Sequence, residues 1–265
     1  MKKVKGLRWW IIGLIGLATV INYIDRSALG IMWPNISEDL GMTKGDYALI
    51  LNVFMVAYAI GQLVSGRLMD KVGTRIGYVV AIGIWGISSF FHAFARGVLS
   101  FSFLRITLGL GEAANWPGAV KSNAEWFPIK ERAVAQGIFN SGASIGSVIA
   151  PPLIATLWVA FGWRVTFMII GSFGILWLIP WLIVNKNLPK QHPWITDDEK
   201  EHILSGQHEI EKKEPDRPAL SITQILSYKE SWAVIVGRFF LEPIWWLFVG
   251  WMPIYLAEVY GFNVK

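Results

Sequence analysis

The sequence predicts an all-α protein of the membrane-spanning kind, and three observations predict it. Hydrophobic residues make up 54% of the 265 and charged residues only 16%, far from the balance of an ordinary soluble domain. The apolar residues fall in runs of about 20 or more, the length a helix needs to cross a bilayer. Fifteen tryptophans are present, several near run ends (Trp9, Trp10, Trp33, Trp126, Trp163, Trp232), where indole favours the interface. With no cysteine, disulfides, thiolate metal sites and cysteine nucleophiles are excluded.

Taken in order, the runs place spans near 9–32, 47–69, 76–95, 99–121, 134–160 and 164–184, with a seventh near 231–256. Lys2, Lys3, Lys5 and Arg8 precede the first run, which is too long for a cleaved signal and lacks a small-residue cleavage site. Arg67, Lys71, Arg75, Lys121, Lys130 and Arg132 fill the second and fourth loops, while the alternate loops hold only Lys44, Arg96 and Arg164. By the positive-inside rule the N-terminus is cytoplasmic. Pro151-Pro152 is expected to kink the fifth span.

Residues 185–230 are polar, mixed in charge and interrupted by Pro189, Pro193, Pro215 and Pro218, which reads as a cytoplasmic linker. Thr196-Asp197-Asp198-Glu199 and Ser221-Ile222-Thr223-Gln224 fit the capping-box pattern, predicting helices near 197–208 and 222–228. The division is therefore a bundle over 1–184, a linker over 185–230, and over 231–265 the first helix of a second, incomplete bundle.

The chemistry concentrates in Asn22-Tyr23-Ile24-Asp25-Arg26, inside a run from Trp9 to Trp33 with no other charge. A charge at mid-bilayer costs roughly 2.5–3.5 kcal/mol on insertion scales, so such residues face an interior or a water path. Neighbours on a helix point about 100° apart, so Asp25 and Arg26 do not share a face, whereas Asn22 and Arg26 do. Arg26 suits a carboxylate bidentately, and a partly desolvated Asp25 suits proton uptake. Arg105, Gly109 and Glu112 fall on one stripe of the fourth span. Glu112, flanked by small residues, is the better proton site, and Arg105 reads first as an interior charge that fixes packing.

Tyr58 and Gln62 are one turn apart, as are Arg238 and Glu242, where mutual neutralisation within the helix competes with a gating role. Asn140, Ser141 and Ser144 are further candidate lining residues, beside Gly142 and Gly146, whose spacing favours a helix contact. Gly109-Leu110-Gly111-Glu112-Ala113-Ala114 matches a dinucleotide fingerprint only in letters, because no strand precedes it. No zinc-protease motif, nucleophile elbow or phosphate loop is visible, and the four histidines lack ligand spacing. An enzyme is not predicted, and neither a cofactor nor a metal is called for.

Gly66-Arg67-Leu68-Met69-Asp70-Lys71-Val72-Gly73-Thr74-Arg75 resembles the loop signature of the major facilitator superfamily, and Arg105-Ile106-Thr107-Leu108-Gly109 its second motif. Tyr23-Ile24-Asp25-Arg26, Gly111-Glu112-Ala113, Glu125-Trp126-Phe127-Pro128 with Glu131-Arg132, and Arg238 leading into Glu242-Pro243-Ile244-Trp245-Trp246 resemble its anion:cation symporter branch. The start Lys5-Gly6-Leu7-Arg8-Trp9 and the end Val259-Tyr260-Gly261-Phe262-Asn263 are similar to bacterial hexuronate transporters. The resemblance covers about the first half of a twelve-span pattern, so a truncated or split product is expected, with a second copy of itself or a separate C-terminal half as the candidate partner.

The resemblance implies a proton- or sodium-coupled symporter of glucuronate, galacturonate or related sugar acids in the bacterial inner membrane. Galactonate or glucarate uptake, and a seven-span ligand-binding sensor, are the alternatives. It implies Arg26 as substrate anchor with Asn22, Tyr23 and Tyr58 beside it, Asp25 and Glu112 as the protonatable pair, and Asp70 with Arg75 as a gate latch. Arg105, Arg238 and Glu242 remain gating or structural charges.

Overall fold

In a computed structural model, residues 3–213 and 221–261 are described. Lys2, Pro215, Pro218 and Phe262-Asn263 lie outside them. Four helices among the described residues are long and apolar enough to cross a membrane: α1 (Leu7–Leu40), α2 (Lys44–Phe91), α5 (Arg132–Val184) and α8 (Lys229–Tyr260). Between them lie α3 (Val98–Glu112), α4 (Asn115–Trp126), α6 (Asp197–Lys213) and the single turn α7 (Ile222–Ile225).

Two of the long helices are hairpins. Gly73 (φ 77°, ψ 162°) breaks α2, and Gly162 (φ 77°, ψ 164°) breaks α5. Both adopt a left-handed φ that only glycine takes without strain. Met69 packs against Gly77 across the first break, which eight residues of straight helix, about 12 Å of rise, would forbid. The Pro151-Pro152 pair leaves the backbone helical, so the sharp break in α5 is at Gly162 rather than at the prolines.

The predicted fourth span is two helices, because Pro117 has no N–H to give the Ala113 carbonyl. That carbonyl instead accepts from Ser65 Oγ at 3.5 Å, and the chain turns through Ala113-Ala114 between α3 and α4.

Side-chain levels fix the topology. Tyr58 lies level with Arg26 and Tyr47 with Gly30 and Trp33, so the first leg of α2 runs against α1. Ser88 meets Thr107 and Tyr78 meets Asn115, so α3 and α4 run against the second leg. Gly142 meets Gly16 and Gly146 meets Val20, whereas Trp163 bonds Asp39 and Trp177 bonds Leu14; the two legs of α5 thus run with and against α1. The result is six alternating passes and then α8, which joins by its second half, Trp246 to Phe54, Gly250 to Tyr47 and Glu258 to Lys44.

Glycine allows the closest approaches. A Cβ on Gly142 would lie 2.5 Å from the Gly16 carbonyl, and one on Gly109 would lie 2.8 Å from that of Phe54. Small residues substitute close backbone packing for the hydrophobic drive that lipid does not supply. Leu63, Leu99, Phe103 and Val148 point outward, while Trp85, Trp126 and Trp181 are fully buried. Trp33, Trp126 and Trp163 are thus core residues rather than interface anchors, and only Trp9, Trp10 and Trp232 of the predicted set are exposed.

Residues 185–205 dock on the end of the bundle that carries the N-terminus. Val4 N–H donates to Trp194 O at 2.7 Å. Glu199 does not turn back to Thr196 to complete the predicted box. Its carboxylate accepts the Gly6, Leu7 and Arg8 N–H groups at 2.8, 3.0 and 3.2 Å, capping α1 from another element. The Ser221 and Gln224 box does close, over one turn only.

Candidate functional site

The centre of α1 is where the fold spends its charge. Arg26 Nε donates to Glu112 Oε2 at 2.6 Å, their side chains only 5% and 0% exposed. Gly109 and Gly111 bring α3 against both legs of α2, which sets Glu112 at the level of Arg26. A charge-assisted bond of this kind in a dry interior is strong, and removing one member leaves the other uncompensated.

Three aromatic rings surround the Arg26 guanidinium, with Cζ 4.5 Å from the Tyr58 centroid, 5.3 Å from Tyr23 and 5.3 Å from Trp246. All lie within cation–π range. Ring faces cover a planar guanidinium without consuming its in-plane donors, and Arg26 Nη2 is buried with no hydrogen-bond partner. That donor edge suits a planar anion.

Asp25 points to a different face. Its Oδ1 accepts from Ser89 Oγ on the second leg of α2, and its Oδ2 is buried and unpartnered. Asn22 lies by the Glu112 carboxylate without a well-formed hydrogen bond; it does not pair with Arg26 in spite of the one-turn spacing, because Glu112 holds the guanidinium. Arg105 is buried with Nε and Nη2 unpartnered, its guanidinium 5.7 Å from the Phe54 centroid. Buried polar atoms without partners are costly, and five residues supply them here: Asn22, Asp25, Arg26, Arg105 and Glu112.

The outlying candidates separate from this centre. Asp70 accepts from Lys121 Nζ at 2.8 Å, Arg75 donates to the Lys186 carbonyl at 3.2 Å, and both lie at the end near the N-terminus. Arg238 pairs with Glu242 within α8. Gln62 donates to the Tyr58 hydroxyl at 2.9 Å, fixing that ring. Asn140, Ser141 and Ser144 are exposed on α5. Sequence reasoning gave no role to Ser89, a serine in an apolar run, nor to Trp246, whose ring faces Arg26 only once α8 is packed.

A bundle of alternating helices with a buried charge centre defines a polytopic membrane protein whose interior, not its surface, carries the chemistry. The chain belongs to the Major Facilitator Superfamily, whose profile matches residues 15–265. It is 37% identical over its whole length to the hexuronate transporter of Escherichia coli K12, of which it covers 61%, and 37% identical to the galacturonate transporter of Dickeya chrysanthemi, of which it covers 76%. The chain thus spans about three fifths of the length of the first of these relatives. Among solved structures, an inward-facing bacterial homologue of the human lysosomal transporter Spinster superposes with a TM-score of 0.76 at 20% identity, covering 98% of this chain and 58% of that one, which establishes the fold.

Proposed function

We propose that the chain forms the first bundle, linker and seventh span of a cation-coupled symporter that takes up hexuronates, glucuronate and galacturonate, across the bacterial inner membrane. The N-terminus and residues 185–230 lie on the cytoplasmic side. The observation that carries the reading is the buried Arg26–Glu112 pair with Asp25 on the adjacent face. The names of the two relatives at 37% identity point to the substrate class.

The geometry supplies a competition. Glu112 occupies Arg26 Nε, and a substrate carboxylate needs the same guanidinium. A proton on Glu112 removes its charge and frees Arg26 for the sugar acid, so cation and anion are taken up together. Asp25, whose Oδ1 accepts from Ser89 Oγ, is the second protonatable group. Tyr23, Tyr58 and Asn22 line the anchor, and rocking of one bundle against another delivers the cargo.

The test is uptake of labelled galacturonate and glucuronate into vesicles under an imposed proton gradient, by this chain and by the chain extended with a homologous second half. Arg26→Ala abolishes binding while insertion continues. Glu112→Gln loses proton-driven accumulation yet still exchanges substrate. Unchanged pH-dependent accumulation in Glu112→Gln, or parental affinity in Arg26→Ala, overturns the assignment.

A further inference from the structure

The Arg26 cage is assembled from two parts of the molecule that are not continuous. Tyr23 and Tyr58 come from α1 and the first leg of α2, whereas Trp246 comes from α8, more than 180 residues further along the chain. The Trp246 ring is also held edge-on by Phe54 and Tyr58, each at 6.4 Å between centroids, so its orientation is set by the first bundle. Its neighbour Trp245 points elsewhere, into a cavity of about 750 Å³ between α1, α5 and α8.

We propose that Trp246 is a positioning residue of the anion site, its indole face closing the third side of the Arg26 cage so that the placement of α8 sets how the guanidinium is presented. The proposal rests on the reading of Arg26 as the anion anchor. The physical reason is division of labour around a planar cation. Glu112 takes Nε, three rings pack within cation–π distance of the guanidinium, and Nη2 has no hydrogen-bond partner. Without Trp246 the guanidinium keeps its charge and its Glu112 bond but loses one wall that fixes its plane. Bidentate capture of a carboxylate depends on that plane. A movement of α8 that withdraws Trp246 acts on Arg26 in the same way, linking helix position to affinity.

Three variants separate this from simple packing. Trp246→Phe keeps an aromatic face, Trp246→Leu keeps bulk without one, and Trp245→Leu removes a neighbouring indole that does not face Arg26. Two readouts are taken on the full chain in lipid nanodiscs: equilibrium binding of labelled galacturonate, and the rate at which phenylglyoxal modifies Arg26, followed by mass spectrometry without any sugar acid.

The expected result is binding within about threefold of the parent for Trp246→Phe and Trp245→Leu and weakening of about tenfold for Trp246→Leu, in line with a desolvated cation–π contact. Arg26 modification is faster only in Trp246→Leu. Equal binding by Trp246→Phe and Trp246→Leu, or equal weakening by Trp245→Leu, overturns the proposal. If the parent binds no galacturonate, the reading of the anchor fails. The cage then stands or falls on labelling, and an unchanged modification rate in Trp246→Leu overturns it.

Discussion

Two clusters of arginine and glutamate sit at different depths of α1, one at its start and one at its middle, and they are built differently. Near the N-terminus, Arg8 donates to Glu199 at 2.9 Å and to Glu131 at 3.0 Å, and Glu131 also bonds His202 at 2.9 Å. Arg8, Glu131 and Glu199 each have a second partner, and Arg8 and Glu131 remain partly exposed. At mid-helix, Arg26 and Glu112 have each other, side chains 5% and 0% exposed, and unpartnered polar atoms on both. The first cluster ties elements together with redundancy. The second carries unsatisfied capacity that an anion and a proton can use.

Breaking the comparison at its deep end gives the largest effect. Arg26→Leu should destabilise the bundle by about 3–5 kcal/mol, because it strands the Glu112 charge, while Arg26→Leu with Glu112→Leu should recover most of that loss. Thermal unfolding in detergent reads both, and equal melting of single and double variants would show that the pair is not dry. Gly142→Ala comes next. Its Cβ meets the Gly16 carbonyl at 2.5 Å, which should cost about 1–3 kcal/mol by overpacking and lower the melting temperature without altering the charge centre.

Glu199→Ala removes the cap of α1 and one partner of Arg8, yet Glu131 still holds Arg8. A loss of about 1–2 kcal/mol is expected, smaller than at Arg26, and a larger loss would reverse the ranking of the two clusters.

The smallest effect is a pH dependence at His192. Its Nδ1 accepts the Trp194 N–H at 3.2 Å, which leaves Nε2 carrying the proton given to Val184 O at 2.9 Å. Burial first, and then the nearby Lys186 charge, lower its pKa from the ordinary histidine value. Because the docked form resists the proton that the undocked form accepts, docking is fully stable above about pH 6.5 and weakens as pH falls below it. Amide protection factors over 187–205, corrected for the intrinsic slowing of exchange at lower pH, should therefore fall at about pH 5.5 relative to about pH 7.5, and His192→Gln should remove most of the difference.

Several features were legible without coordinates because they are local or compositional. Run length gave the spans, and the isolated Asp25-Arg26 pair in an apolar stretch marked the level of the charge centre. The capping pattern at Thr196 marked the start of α6, although the carboxylate at Glu199 went elsewhere. What escaped was every choice among partners. Asn22 had the right spacing for Arg26, but Glu112 on another helix took the guanidinium. Trp126 and Trp163 sat near run ends like interface anchors, but the packing of neighbouring helices buried them. Pro117 carried a signal for the break after Glu112 that its apolar setting masked.

The sequence by itself determined that this chain crosses a bilayer, how often its apolar runs recur and which side chains are too polar for their surroundings, because transfer free energies and helix length are properties of single segments. Only the tertiary structure decided that Glu112 meets Arg26, that Ser89 meets Asp25, and that Trp246 closes a cage begun by Tyr23 and Tyr58. Those pairings depend on the rotation and depth of each helix against its neighbours. Glycines set both by permitting close contact at some levels and not at others, and no single segment contains that information.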